Sequence, residues 1–267
     1  MLLKDKVIVV TGGTGILGGA FVRGIAAEGA IVGILGRNMM AASQRVNQIR
    51  EMGGKAIALQ ADVLDEMELI DAKNKILEQF QRIDGLVNAA GGNMPEGVVD
   101  PNDNIFKMDM AGMKKVNDLN LWGTIIPTQV FGEEISKSDS GSVVNISSMS
   151  SQQAITKVLG YSLGKAGIDC YTKWMATEIA LRYGDRVRVN AIAPGFFLTE
   201  QNRALLTNSD GSFTQRGSRV IQNTPMGRLG VPSELEGALI WLLSSNSMFV
   251  TGAIINVDGG FSVFSGV

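Results

Sequence analysis

The chain alternates short apolar runs with longer segments of helical periodicity. Seven runs are apolar along nearly their whole length, and they span residues 6–11, 30–35, 55–60, 85–88, 142–147, 186–192 and 253–257. A strand with one face in water alternates apolar and polar residues, whereas runs of this kind are typical of parallel strands that are buried on both faces. The pattern therefore predicts seven parallel strands.

Segments of helix length separate these runs, and they cover residues 16–28, 39–52, 64–81, about 101–137, 151–183 and 233–243. Regular strand–helix alternation predicts an α/β fold, a Rossmann-type doubly wound parallel sheet with helices on both faces. No linker-like stretch divides the 267 residues, so we expect a single domain over 1–267. The segment at about 195–230 is too long for a plain connection, and we expect it to form a substrate lid.

Composition excludes several kinds of site. The chain has no histidine and one cysteine, which leaves no basis for a histidine or thiolate metal site, for a histidine-activated nucleophile or for an internal disulfide. Its 24 basic and 26 acidic residues give no basic excess, so we expect no nucleic-acid partner. No apolar stretch is long enough for a membrane span or a signal peptide. These features are typical of a soluble cytoplasmic protein.

A glycine-rich turn follows the first strand, and residues 13–18 fit the pattern G-x-G-x-x-G between a strand and a helix. In that context glycines let the backbone approach a pyrophosphate at the helix N-terminus. The residues that we assign to this cofactor site are Gly12, Gly13, Thr14, Gly15, Ile16, Leu17 and Gly18.

The second strand is followed by Arg37 and Asn38, where NAD-binding folds commonly place a carboxylate. Arg37 could pair with a 2′-phosphate, which favours NADP over NAD, although it could equally be an ordinary solvated side chain.

Tyr161 and Lys165 are four residues apart, which places a phenol and an ammonium on one helix face. A close positive charge lowers the pKa of a phenol, so the pair could serve acid–base chemistry, although the same spacing also occurs on ordinary helix surfaces. Ser148 follows the fifth strand, at the sheet edge where open α/β sheets bind ligands.

Taken together, these motifs resemble the short-chain dehydrogenase/reductase family over nearly the whole chain. The matching pieces lie at residues 11–18, 61–63, 88–91, 119–123, 145–148, 161–165, 188–195 and 257–260. One departure is Ile16, which stands where the family usually has its middle glycine. Three residues separate Tyr161 from Lys165, whereas enoyl reductases of the family have six, so the resemblance implies a carbonyl reductase or alcohol dehydrogenase.

The resemblance also implies residue roles. Tyr161 would be the acid in ketone reduction and the base in alcohol oxidation, and Ser148 would polarise the substrate oxygen. Lys165 would lower the tyrosine pKa and bind the nicotinamide ribose, while Asn120 would hold a water of the proton relay. Further cofactor contacts implied by the resemblance are Asp62, Val63, Asn88, Ala89, Gly91, Pro194, Gly195 and Thr199.

The expected lid resembles that of bacterial D-mannonate oxidoreductases within this family, which reduce D-fructuronate. The small-molecule substrate would meet Asn93, Ser148, Gln201, Asn202 and Arg203. Alternative hypotheses for the function are a different carbonyl or polyol reductase, a 3-oxoacyl reductase, or a non-catalytic dinucleotide-binding sensor or scaffold. Members of the family are commonly tetramers, so we expect a homotetramer.

Overall fold

The computed structural model describes residues 1–100, 102–199, 203 and 205–266, which contain a seven-stranded sheet. Its strands are β1 (Val7–Thr11), β2 (Ile31–Gly36), β3 (Lys55–Gln60), β4 (Gly85–Asn88), β5 (Gly141–Ile146), β6 (Val187–Pro194) and β7 (Ile254–Val257). Every neighbouring pair is parallel, in the order β3-β2-β1-β4-β5-β6-β7. The predicted doubly wound parallel sheet is confirmed.

Helices cover both faces of this sheet. Within the described part of the chain they include α1 (Ile16–Ala27), α2 (Met39–Glu51), α3 (Glu66–Phe80), α4 (Met110–Ile135), α5 (Leu159–Tyr183), α6 (Gln215–Gln222) and α7 (Glu236–Leu243). Alternate residues of β1 enter opposite cores, since Ile8 and Val10 pack with α1, α2 and α7, while Val7 and Val9 pack with α3, α4 and α5. Burial on both faces explains why the strands read as continuous apolar runs.

Helix α4 begins later than the sequence pattern predicts. The prediction placed its start near residue 101, whereas the helix begins at Met110. Asp109 caps it by accepting hydrogen bonds from the amides of Ala111 and Gly112, each at 3.0 Å. Upstream, Asn104 accepts from the amide of Phe106 at 3.0 Å. Short polar side chains that bond to nearby backbone in this way compete with a helix, which accounts for the error.

Helix α5 also starts later, at Leu159 instead of residue 151. Met149–Ser151 form one turn of 3-10 helix after β5, and Lys157 has a positive φ of 76°. The chain therefore turns once before α5 begins. This turn carries Ser148 at its start, which makes it the most important local feature for the site.

The excursion between β6 and α7 closes on itself. Phe197 pairs with Gly230 as an isolated parallel bridge, and the amide of Gly230 donates to the carbonyl of Phe196 at 2.9 Å. Leu206, Val220 and Leu229 form a small apolar cluster inside the excursion, separate from the two cores of the sheet. No described helix combines the length and apolar character needed to cross a membrane.

Candidate active site

The sheet changes direction of winding between β1 and β4. The chain runs from β1 to β2 and β3 on one side and then returns to place β4 on the other side of β1. A crevice at such a point is where open α/β sheets bind ligands. Thr11 joins the two strand ends, because its Oγ1 accepts hydrogen bonds from the amides of Ala89 and Ala90 at 3.1 and 3.2 Å.

The predicted glycine turn lies in this crevice, where its backbone packs directly against the backbone of neighbouring segments. Gly12 has a φ of 63°, and a Cβ added there would lie 2.8 Å from the Cα of Ala90. A Cβ on Gly18 would overlap the carbonyl oxygen of Gly12. Larger residues would therefore push α1 away from the strand end, so both glycines are sterically required.

The N-terminus of α1 is suited to an anion. Gly15 is its N-cap and offers no side chain to the first amides, and the first turn carries no acidic residue. Ile16 follows as the first helical residue and is half-buried. Unpaired amides and the helix dipole favour a phosphate at such an end, and the tight cradle therefore fits the pyrophosphate of a dinucleotide.

The remaining residues of the motif support the turn. The amide of Gly13 donates to the carbonyl of Leu35 at 3.1 Å, which ties the turn to β2. The side chain of Thr14 lies against Gly36, since a Cβ on that glycine would come 2.8 Å from Thr14 Oγ1. Leu17 packs against the core on the α1 side.

Arg37 and Asp62 face each other at the ends of β2 and β3. Arg37 Nη1 lies 3.8 Å from Asp62 Oδ2, and the side chain of Arg37 is 77% exposed. Asn38 has a structural role, because its Oδ1 caps α2 by accepting from the amide of Ala41 at 3.0 Å. Val63 is buried against α4, where a Cβ on Gly123 would lie 2.9 Å from it.

Asn88 directs its side chain beneath the crevice. Its Nδ2 donates to Thr128 Oγ1 and to Asn145 Oδ1, both at 2.9 Å. Asn145 in turn donates to Thr172 Oγ1 at 2.9 Å. This buried network joins β4, β5, α4 and α5, and it fixes the strand ends from which the next loop rises.

Asn120 holds the loop that follows β4. Its Nδ2 donates to the carbonyls of Gly92 and Val116 at 2.7 and 2.8 Å, and its Oδ1 accepts from the amide of Gly92 at 3.0 Å. A Cβ on Gly91 would lie 2.7 Å from Asn120 Oδ1 and 3.4 Å from Lys165 Nζ. Asn120, the loop and Lys165 are therefore in close contact.

Tyr161, Lys165 and Ser148 come together at the carboxyl end of β5. Burial raises the pKa of Tyr161, and the neighbouring Ser148 side chain partly opposes this effect. Lys165 Nζ lies 5.5 Å from the centre of the Tyr161 ring and donates to the carbonyl of Ile146 at 2.6 Å. Burial lowers the pKa of Lys165 to about 8, against the opposing charge of Asp169. An ammonium with that pKa is mainly charged at pH 7.

The residues predicted after β6 lie at the same edge of the sheet. Pro194 ends β6, and the amide of Gly195 donates to the carbonyl of Val257 at 3.0 Å. Thr199 is half-buried. Of the predicted substrate residues, Asn93 and Arg203 are exposed. Ser148 lies with Tyr161 and Lys165, and the remaining two, Gln201 and Asn202, lie outside the described residues.

One polar residue near this site was missed by the sequence reasoning. Asp169 accepts hydrogen bonds from Ser147 and Ser151, which stand on either side of Ser148. Its position four residues after Lys165 was the available signal, because it falls on the same helix face. Among the described residues, no group of three or more histidine, cysteine or acidic side chains is placed to hold a metal ion.

Comparison with known proteins agrees with this geometry. A short-chain alcohol dehydrogenase family model, described as enoyl-(acyl carrier protein) reductase, matches residues 14–262. An uncharacterized oxidoreductase of Bacillus subtilis, UxuB, is 46% identical over an alignment of 274 positions, which covers 99% of this chain and 98% of the relative.

Two solved structures share the whole fold. A Haemophilus influenzae protein with bound NAD, named provisionally as a D-mannonate oxidoreductase, is 38% identical with a TM-score of 0.92, covering 99% of this chain and 98% of its own. A gluconate 5-dehydrogenase of Burkholderia cenocepacia in complex with NADP and tartrate is 30% identical with a TM-score of 0.84, covering 98% and 97%. The chain therefore belongs to the short-chain dehydrogenase/reductase family of NAD(P)-dependent oxidoreductases.

Proposed function

We propose that this enzyme interconverts a ketone and a secondary alcohol, and that its substrate pair is D-fructuronate and D-mannonate or a closely related sugar acid. The observation that carries the reaction is the cluster of half-buried Tyr161 with buried Lys165 and Ser148 beside the glycine cradle. A phenol, an ammonium and a hydroxyl in this arrangement can move one proton to or from a substrate oxygen.

The bound nicotinamide supplies the hydride, and the protein supplies placement and proton transfer. In the reducing direction Tyr161 donates its hydroxyl proton to the ketone oxygen. Ser148, whose side chain lies near that hydroxyl, holds the same oxygen. In the oxidising direction Tyr161 accepts the alcohol proton, so the same two residues serve both directions.

Lys165 assists this proton transfer through its charge. Burial alone raises the pKa of Tyr161, which disfavours the phenolate. The Lys165 ammonium near its ring counteracts that effect by attracting the negative charge. Asn120 contributes by holding the loop at Gly91 and Gly92 against Lys165. The water-holding role that the family resemblance gives to Asn120 is part of this proposal.

The sugar-acid assignment rests on relatives. The Haemophilus influenzae structure carries a D-mannonate oxidoreductase name, and the Burkholderia cenocepacia structure is a gluconate 5-dehydrogenase. A 2-dehydro-3-deoxy-D-gluconate 5-dehydrogenase of Formosa agariphila is also 31% identical over 259 residues. Sugar acids thus recur among the matches, and exposed Arg203 and Asn93 offer a cation and an amide to such a substrate.

For the cofactor we propose NADP as the preferred form, with NAD as the alternative. Arg37 is exposed at the end of β2, where it can meet a 2′-phosphate. Asp62 competes for the same guanidinium at 3.8 Å. Since the related structures hold NAD in one case and NADP in the other, the Arg37–Asp62 pair is the feature to test.

We further propose a single domain with a lid at about 195–230, assembled as a homotetramer in the cytoplasm. The self-closed bridge between Phe197 and Gly230 supports a lid that moves as a unit. Exposed apolar side chains on the paired helices α4 and α5 support the assembly, with Trp122 at 48% and Trp174 at 57% exposure. Sedimentation of the purified protein at micromolar concentration tests it, and a monomer would contradict it.

The decisive experiment follows nicotinamide absorbance with the purified enzyme. D-fructuronate is offered with NADH or NADPH, and D-mannonate with NAD or NADP. Turnover of this pair supports the substrate assignment and gives the cofactor preference in the same series. Turnover of other ketones alone, such as 3-oxoacyl thioesters or gluconate derivatives, would replace the substrate while keeping the reaction. Cofactor binding without turnover of any carbonyl would instead support a dinucleotide sensor.

A further inference from the structure

Helix α5 carries a third polar residue in line with the two proposed to act on substrate. Tyr161, Lys165 and Asp169 follow each other at intervals of four, so they lie along one face of the helix. Asp169 is half-buried at the level of the turn that follows β5. It is too far along the helix to act on the substrate oxygen, and its contacts are with the serine turn.

The carboxylate of Asp169 ties down both ends of that turn. Ser147 donates a hydrogen bond to Oδ1, and the hydroxyl of Ser151 lies 2.6 Å from Oδ2. The same Ser151 hydroxyl is 2.7 Å from the carbonyl oxygen of Ser148. Ser148 is therefore flanked by two residues that are bound to one side chain of α5, the helix that also carries Tyr161.

Asp169 also acts on the charge of Lys165. Its negative charge raises the pKa of Lys165, opposing burial. The other groups that face Lys165 are uncharged at neutral pH: the Tyr161 phenol on the same helix, the Ile146 carbonyl from β5 and the Asn120 amide from α4 beyond the Gly91 loop. Among the described residues, Asp169 is the carboxylate whose charge acts on this ammonium.

We propose that Asp169 is a positioning residue, which clamps the Ser147–Ser151 turn to α5 so that Ser148 meets Tyr161, and which places a carboxylate one helical turn from Lys165. The inference rests on the proposed roles of Tyr161, Lys165 and Ser148, but not on which ketone is the substrate. It predicts two separable effects of Asp169, one of geometry and one of charge.

Three variants separate these effects. Asp169→Asn keeps the size and one acceptor but removes the charge, Ser151→Ala keeps the charge but removes one contact, and Asp169→Ala removes both. Glu178→Gln is the matched control, because Glu178 is on the same helix and pairs with exposed Arg182. Each protein is assayed for kcat, for cofactor Kd and for the pH profile of alcohol oxidation, and its melting temperature reports folding.

We expect Ser151→Ala and Asp169→Ala to lower kcat by about tenfold to a hundredfold, since small misplacement of a reacting group has effects of that size. Their cofactor Kd should stay within about threefold, because Asp169 contacts the turn and not the glycine cradle. Asp169→Asn should move the pH profile toward lower pH, since loss of a nearby negative charge favours the deprotonated forms of Tyr161 and Lys165. Ser151→Ala and Glu178→Gln should leave the profile where it is.

A readout without substrate keeps the test independent of the substrate assignment. The tyrosinate absorbance of Tyr161 is titrated as the difference between each protein and its Tyr161→Phe counterpart, and Asp169→Asn should shift it to lower pH. Folded variants that keep kcat within twofold and leave both titrations unmoved would overturn the role of Asp169. Turnover retained by Tyr161→Phe alone would overturn the proposed acid instead.

Discussion

Replacing Lys165 by methionine tests whether burial of the Lys165 ammonium lowers the stability of the folded protein. The pKa of Lys165 is lowered by burial from 10.5 to about 8, and the side chain is 4% exposed. The difference of about 2.5 pH units, at about 1.36 kcal/mol per unit, corresponds to about 3 kcal/mol of unfavourable free energy in the folded state.

The pH dependence follows from the sign of that change. Below pH 8 the lysine is charged in both the folded and the unfolded state, so the full penalty is present. Between about pH 8 and 10.5 the unfolded chain still binds the proton and the folded one does not, so this group raises stability with pH. The stability of the wild type relative to Lys165→Met should therefore increase by up to about 3 kcal/mol across this window.

Urea unfolding at several pH values from 7 to above 10 measures this difference. All proteins are kept at one concentration, because association changes apparent stability. Methionine leaves the Ile146 carbonyl without its donor, which costs about 1–3 kcal/mol. That cost is the same at every pH and does not alter the slope. Lys173→Met, on the exposed surface of the same helix, is the matched control. A difference that stays flat or falls with pH would refute the reasoning.

Three further predictions address the proton donor, the cradle and the cofactor. Tyr161→Phe should lower turnover by about a hundredfold to ten-thousandfold and leave cofactor affinity nearly unchanged, because only the transferable proton is lost. A binding titration and the absorbance assay measure the two quantities, and near-normal turnover would contradict the prediction. Gly18→Ala should destabilise the fold by about 2 kcal/mol and weaken cofactor binding, because its methyl group would overlap a backbone oxygen. Gly19→Ala is the control, since its methyl group would meet only the movable end of an arginine side chain. Equal melting temperatures for the two variants would argue against a tight cradle. Asp62→Asn should raise the ratio of NADP affinity to NAD affinity several-fold, on the order of 1 kcal/mol, because it releases Arg37 from its partner at 3.8 Å. An unchanged ratio would show that Arg37 does not bind the 2′-phosphate.

Much of the fold was predictable because parallel strands that are buried on both faces appear in the sequence as continuous apolar runs. The strand bounds agree with the predicted ones to within two residues, and β3 and β4 match at both ends. The starts of α4 and α5 were predicted too early, because side chains that bond to nearby backbone cap α4 and form a separate turn before α5. Asp109 and the serines around Ser148 do this, and apolar periodicity does not register it.

The candidate site likewise contains residues that could be predicted from the sequence and contacts that could not. The glycine turn and the Tyr161–Lys165 pair were accessible from sequence, since their spacing along one turn or one helix face is the geometry that their chemistry needs. That Asn88 lines the cofactor groove stays a prediction, and the sequence did not indicate that its Nδ2 donates to Thr128 and Asn145. Partners that lie 40 and 57 positions away are set by the packing of separate elements, which local spacing does not encode.

The position of Lys165 is best understood as a conflict between folding and chemistry. A charged lysine at 4% exposure destabilises the fold, and an apolar residue of similar length would pack there without that penalty. The surroundings reduce the cost through the Ile146 carbonyl at 2.6 Å and the opposing charge of Asp169. These contacts still leave the pKa of Lys165 well below its ordinary value. A chain that is optimised only for stability would have no reason to keep this ammonium beside Tyr161, whereas the proposed proton transfer by the Tyr161 hydroxyl gives a direct one.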